Sequence, residues 1–281
     1  MPAQPLISII IPTRNSGKTL KACLASVTTQ TYPHIETIVV DRDSQDATKT
    51  IAKDYTPHVY NHGPERSAQR NFGVSKAKGE YVAIIDSDME LTPKVVEACV
   101  QAMATDPQPK GVIIPEQSFG EGFWAQCKAL ERSYYVGSDD IEAARFFTRK
   151  TYQDLGGYDE TLVAGEDWDL SNRARAQGPI ARVSEFIRHN EGHISLIGTL
   201  RKKYYYAQHA KAYLQKSQTS SMLTANAGPL QRYKLFLSRP GRLLRNPFTG
   251  LGMLFMKTAE YAAGAAGLLT TSSQSKGHAE R

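Results

Sequence analysis

The chain opens with "LISIIIPTRN" (6–15), a mostly apolar run that gives way to proline and polar residues. An apolar run of this length without alternation predicts a strand buried on both faces. The period then changes. In "SGKTLKACLASVTTQ" (16–30), Leu20, Cys23, Leu24 and Val27 share one helical face, and Ser16 is placed to cap it. "ETIVVD" (36–41) predicts a second strand, "DATKTIAKDY" (46–55) a helix and "HVYN" (58–61) a third strand. "ERSAQRNFGVSKAKG" (65–79) predicts a helix closed by Gly79. "YVAIID" (81–86) predicts a strand, "TPKVVEACVQAMATD" (92–106) a helix with Pro93 in its first turn, and "GVIIP" (111–115) a fifth strand. Repeated βα units with apolar strands predict an α/β fold: a mostly parallel sheet covered by helices on both faces.

Beyond residue 116 the pattern loosens. "FGEGFWAQCKALERSYY" (119–135) predicts a helix in its second half. "AARFFTRKTYQDLGGYDE" (143–160) reads as strand, short helix and Gly-Gly turn, and "AGEDWDLSNRARAQG" (164–178) as a loop entering a helix that ends at Gly178. The expected organisation is one α/β domain over 1–195, with halves 1–115 and 116–195. A basic amphipathic helical region follows over 196–270, then a disordered tail over 271–281.

With 281 residues and 41% hydrophobic composition, the chain suits one large domain or a domain with an appendage. The three cysteines are scattered and show no metal-ligand spacing, which points to a reducing cytosol. The amino-terminal run lacks a basic start and stops at Pro12, so no signal peptide is expected. Charge changes the picture when it is divided along the chain. Residues 1–191 carry 21 Lys+Arg against 26 Asp+Glu, a net of −5, whereas 201–257 carries 11 Lys+Arg and no acid. Such asymmetry predicts an anionic partner for the C-terminal region. "LGMLFMKTAEYAAGAAGLL" (251–269) is close to the length of a membrane span, but Lys257, Glu260 and several small residues favour a helix lying in the membrane surface. A helical hairpin packed on the main domain and a dimer interface are the alternatives.

In open parallel sheets, ligands bind at the carboxyl ends of strands. Here those ends are polar: "PTRN", "DRDSQD" and "DSDME". Asp86 and Asp88 in the last suit a hard divalent cation, Mg²⁺ or Mn²⁺, that brings phosphates with it. Two solvated loop aspartates are the plain alternative. In "GEDWDL" (165–170), Glu166, Asp167 and Asp169 surround Trp168. One of the three suits a general base, N-capping being the alternative, and the Trp168 ring suits a sugar face. Arg14 and Asn15 follow the first strand, where backbone N–H groups and an arginine can meet a nucleotide. Arg70 and Asn71 lie on the third helix. His193 is a candidate ligand for metal or phosphate.

Taken in order, "SIIIPTRN", "IVVDRDSQDAT", "RSAQRNFGVSKAKGEYVAIIDSDMELTP", "GGYDE" and "GEDWDL" resemble glycosyltransferase family 2 with its GT-A fold, over roughly residues 5–195. The resemblance implies an inverting, single-displacement transfer from a nucleotide-diphosphate sugar, UDP- or GDP-linked, with Mg²⁺ or Mn²⁺. It places the metal at Asp86 and Asp88. Pro12, Thr13, Arg14, Asn15, Asp41, Arg70, Asn71 and Ser87 fall around the nucleotide and phosphates, and Asp167 matches the base, with Glu166 second. Arg42 and Asp43 depart from the family's usual "VDDGSTD". The Q-x-x-R-W motif of processive synthases is absent, so one sugar per encounter is expected. Together with the basic region, the resemblance implies a lipid-linked acceptor such as a polyprenyl phosphate, with Arg201, Lys202 and Lys203 at a phosphate. It also implies a place on the cytoplasmic face of an anionic membrane and no nucleic acid partner. A nucleotidyltransferase is disfavoured because "PTRNSGK" holds one glycine where a glycine-rich loop is needed. A nucleic-acid-binding protein leaves the acidic strand ends unexplained.

Overall fold

A computed structural model describes residues 4–162, 165–216 and 228–276. The chain forms two compact units. The first comprises residues 1–117, 142–160 and 166–190. Its strands and helices alternate: β1 (Ile7–Thr13), α1 (Leu20–Thr28), β2 (Ile35–Asp41), α2 (Thr48–Tyr55), β3 (Val59–Asn61), α3 (Arg66–Lys76), β4 (Tyr81–Ile84), β5 (Met89–Leu91), α4 (Val95–Met103) and β6 (Gly111–Ile113). After β7 (Glu116–Glu121) and α5 (Phe123–Ser133) come β8 (Ala144–Thr148), α6 (Arg149–Asp154), α7 (Glu166–Gln177), β9 (Ile180–Arg182) and β10 (Ile187–His193).

The main sheet runs β3-β2-β1-β4-β8-β6-β9. Strand β1 is parallel to β2 and β4, whereas β8 is antiparallel to both β4 and β6. The sheet is therefore mostly parallel, as the βα alternation predicts, with one reversed strand inside it. Alternate residues serve opposite faces. Ile7, Ile9 and Ile11 pack with Leu20, Cys23, Leu24, Val95 and Cys99 on one face. Ile10, Ile38 and Val40 pack with Val74, Tyr152, Tyr158 and Leu170 on the other. The register sets Thr13 opposite Asp41, so the polar ends of β1 and β2 are level. A second, three-stranded sheet runs β5-β10-β7, with β10 antiparallel to β5 and His189 opposite Met89; these mixed-polarity strands carry no apolar run.

Two expected helix ends move. Helix α1 starts after Thr19, not Ser16. The Ser16 hydroxyl instead accepts from the Ser87 hydroxyl and the Arg14 N–H. Helix α3 stops at Lys76, and Gly79 N–H donates to Ser8 Oγ in the turn that enters β4.

The second unit comprises 118–141, 161–165 and 191–281, so α5 groups with the C-terminal helices. Those are α8 (Leu196–Lys216), α9 (Pro229–Leu237), α10 (Pro240–Leu244) and α11 (Pro247–Lys276). Its core joins Cys127 and Tyr134 of α5 to Phe236, Met253 and Met256. At Gly252 a Cβ would lie 2.8 Å from the Cys127 sulfur, so α11 seats closely on α5 only with glycine there. The two charges inside the apolar 251–269 stretch face inward, where a solvated polar face is the sequence expectation. Lys257 Nζ meets Glu131 Oε1 at 2.7 Å and Glu260 Oε2 at 3.1 Å; Lys128 Nζ meets the remaining oxygens of both at 2.8 and 3.0 Å. Helix α11 continues to Lys276, into the expected tail; residues 277–281 lie outside the described residues. No helix among the described residues is long and apolar enough to cross a membrane.

Candidate active site

The carboxyl ends of β1, β2 and β4 meet in the first unit. Asp41, at the end of β2, is buried and fully engaged: it accepts from Thr13 Oγ1 (2.9 Å), Ser44 Oγ (2.5 Å) and Ser44 N–H (2.8 Å). Asn15 has a positive φ of 51°, and its N–H donates to Ser44 Oγ while its side-chain oxygen accepts from Gln45 N–H. The loops after β1 and β2 are thus tied to each other. Buried Gln69 of α3 completes the tie by donating to Thr13 O (2.9 Å) and Val40 O (2.6 Å). Pro12 is buried within β1 and Arg14 projects outward.

Arg70 is the hub. Its side chain is fully buried, yet it reaches Asp86 Oδ1 (2.6 Å), Asp167 Oδ1 (2.9 Å) and Glu166 Oε1 (3.3 Å). The end of β4 and the start of α7 therefore meet on one guanidinium. Burying it requires such compensation, since an unpaired buried charge is very costly. The Tyr158 ring closes one face, 4.8 Å from Cζ. Arg66 Nε adds a second cation on Glu166 at 2.6 Å. Burial, then the neighbouring Asp167 charge, raises the Glu166 pKa despite both arginines. Glu166 is 2% exposed and Asp167 29%, so Asp167 is the member of the pair open to solvent. Asp169 pairs with Arg173, which also donates to the carbonyls of Leu155 and Gly157 and so anchors the Gly-Gly turn. Trp168 is partly exposed in the first turn of α7.

The two aspartates of D-x-D differ. Asp86 has an arginine on each oxygen, Arg70 on one and Arg145 at 3.4 Å on the other. Burial raises its pKa, but Arg70 and then Arg145 hold it well below the usual carboxylate range. Asp88 is 43% exposed, with one oxygen 3.5 Å from His189 Nε2. Burial alone would lower the His189 pKa, yet hydrogen bonds to Asp88 and Glu116 raise it to about 10. No three His, Cys, Asp or Glu side chains among the described residues converge as a metal cluster. The donors do fit a cation that takes most of its ligands from a diphosphate and water, as Mg²⁺ and Mn²⁺ commonly do. Asp88 is the open carboxylate such an ion would find, beside Asp86 on its arginines, and His189 can join them only on giving up the Nε2 proton that its raised pKa retains.

Not every expected residue gathers here. The Asn71 amide is spent on the neighbouring turn. Its oxygen accepts from Tyr152 Oη and Tyr158 N–H, and its nitrogen donates to Tyr158 O and Glu160. His193 belongs to the second unit, against Gly122, and the histidine at Asp88 is His189. Arg201, Lys202 and Lys203 are exposed on α8 in the second unit, with Lys202 over the Tyr206 ring. Sequence reading missed Gln69, Arg66, Arg145, Glu116 and His189. Gln69 and Arg66 lie inside the quoted "RSAQRN" motif, whereas nothing in the local sequence separates Arg145 or Glu116 from ordinary strand residues.

The description "Glycosyl transferase family 2" matches residues 8–153, more than half of the chain. The uncharacterized glycosyltransferase YibD of Escherichia coli K12 is 35% identical over 106 residues, 36% of this chain and 31% of its own length. Glycosyltransferase GlyA of Streptococcus pneumoniae is 27% identical over 222 residues, covering 75% of this chain and 30% of that protein. The chain thus spans about a third of the length of the curated relatives it matches. Among solved structures, mannosyltransferase PcManGT from Pyrobaculum calidifontis, in complex with GDP-Man and Mn²⁺, superposes with a TM-score of 0.65 at 18% identity, over 95% of this chain and 88% of that one. S. aureus TarS 1–349 with UDP-GlcNAc gives 0.53 at 17% identity, over 97% and 92%. These likenesses establish the GT-A fold. The matched stretch from β1 to α6 also carries the strand-end aspartates and the Arg70 hub, and on that ground the chain belongs to glycosyltransferase family 2.

Proposed function

We propose that this protein transfers one sugar from a UDP- or GDP-linked donor to a hydroxyl or phosphate of an acceptor, with inversion. The observation that carries this reading is the Arg70 hub, which holds the D-x-D carboxylate Asp86 and the solvent-facing Asp167 on one buried guanidinium. The tied loops after β1 and β2 offer a rigid seat for base and ribose. Asp167 takes the proton of an acceptor hydroxyl as its oxygen bonds the anomeric carbon and the bond to the donor phosphate breaks. Glu166, buried under two arginines, holds the hub in place. A divalent cation at the D-x-D aspartates Asp86 and Asp88, with His189 once it yields its Nε2 proton, would offset the charge of the departing nucleotide diphosphate.

The acceptor is proposed to be lipid-linked and the protein peripheral on the cytoplasmic face of a membrane. The second unit supports this. Leu244, Phe248, Leu251 and Phe255 are 59–81% exposed at i, i+4, i+7 and i+11, beside Arg239, Arg242 and Arg245. Apolar side chains flanked by cations match an anionic bilayer surface.

Calorimetric titration with nucleotide diphosphates and sugar nucleotides, with and without Mn²⁺, tests the donor reading. Metal-dependent binding of one nucleotide, abolished in Asp88→Ala, is expected. A folded protein that binds no nucleotide overturns it. The anomeric configuration of the product, read by NMR, decides inversion.

A further inference from the structure

Glu116 stands at the start of β7, outside every motif in the sequence, yet both its oxygens are committed. Oε1 accepts from Arg145 Nε (3.0 Å) and Nη2 (2.8 Å). Oε2 lies 3.1 Å from His189 Nδ1. The other ring nitrogen of His189 faces Asp88, and the remaining Nη of Arg145 faces Asp86. The five side chains form an alternating chain of charge, Asp86–Arg145–Glu116–His189–Asp88, that begins and ends on the two aspartates of D-x-D. Arg145 and His189 are 8% and 14% exposed, so burial confines both ends of Glu116. A carboxylate on one imidazole nitrogen fixes the ring's orientation and leaves the other nitrogen aimed outward, the arrangement that sharpens histidines facing a cation.

We infer that Glu116, clamped by Arg145, is a positioning residue that fixes the His189 ring with Nε2 toward Asp88. This rests on the proposed reading in which the donor arrives with a divalent cation, but one arm of the test does not. That arm is the His189 Nδ1–H proton signal of the metal-free protein, assigned by its loss in His189→Asn. A downfield, slowly exchanging signal is expected in the wild type and none in Glu116→Leu. The second arm is Mn²⁺ affinity in the presence of GDP or UDP, read from the electron paramagnetic resonance of free Mn²⁺. Glu116→Leu is expected to weaken it by about 10- to 100-fold. Glu116→Gln, which keeps an oxygen acceptor, is expected to restore part of both readouts. It serves alone where removal of the charge beside Arg145 prevents Glu116→Leu from folding. An Nδ1–H signal unchanged in a folded Glu116 variant overturns the inference, as does a Mn²⁺ affinity within twofold of wild type. A wild type that binds no Mn²⁺ overturns the cation reading instead, and the proton signal still decides whether Glu116 fixes the ring.

Discussion

At the scale of the residue, Arg70 converts two distant stretches of sequence into one site. A guanidinium presents a fork of donors, whereas an ammonium is a point charge. Arg70→Lys is therefore expected to lose at least one of the three contacts to Asp86, Glu166 and Asp167 and to cost about 1–3 kcal/mol in urea unfolding, although charge is conserved. Asp167→Asn is expected to lower turnover by about 10²- to 10⁴-fold, with nucleotide binding by calorimetry nearly unchanged. Gly157 has φ +67°, and a Cβ there would lie 2.6 Å from Asn71 Oδ1. Gly157→Ala is expected to lower the melting temperature by several degrees, a cost of about 1–2 kcal/mol. Asp86, Asp88 and Arg70 were legible because strand ends and an ordered set of motifs announced them. Glu116, Arg145 and His189 were not, because their meaning lies in partners 29 to 101 positions away.

At the scale of the element, α11 owes its place to the Lys128–Glu131–Lys257–Glu260 square. The periodicity of 251–269 predicted the helix, but amphipathicity assigned its charges to solvent, because a single helix carries no sign of the α5 residues that answer them. Removing one corner leaves an uncompensated buried charge. Lys257→Met is expected to cost about 3–5 kcal/mol by chemical denaturation. Burial pushes Glu131 up, but Lys128 and Lys257 hold its pKa below the ordinary 4.5. Its contribution is therefore complete above pH 4.5 and is lost as the pH falls below that value and through the folded pKa. Tryptophan fluorescence from Trp124, on α5, is expected to report loosening of this unit below about pH 4, and Lys257→Met to remove much of that acid dependence.

At the scale of the whole molecule, the exposed apolar row of α10 and α11 makes a testable surface. The protein is expected to co-float with vesicles containing phosphatidylglycerol and not with pure phosphatidylcholine. A Phe248→Ser/Leu251→Ser/Phe255→Ser variant is expected to lose flotation while keeping its fold, because none of the three lies in the core. The α/β class and strands β1 to β4 and β6 were readable from the pattern of the sequence, whereas β5, a three-residue strand, was not. The insertion of β8 between β4 and β6 was not, because strand order depends on pairing across the sheet.

That insertion has a consequence for the growing chain. When residue 115 leaves the ribosome, β1 to β4 can pair, but β4 still shows a bare edge and β6 has neither neighbour. Both its partners, β8 and β9, are encoded later. The polypeptide therefore carries a fully apolar strand that stays unpaired until β8 is complete, about thirty residues on, and keeps one open edge until β9, about seventy residues on, roughly several seconds at ordinary elongation rates. A fragment ending at 115 should expose the hydrogen-bonding template that drives edge-to-edge aggregation. It is expected in the insoluble fraction, and a soluble, monomeric fragment 1–115 would show that β6 needs no partner to stay out of trouble.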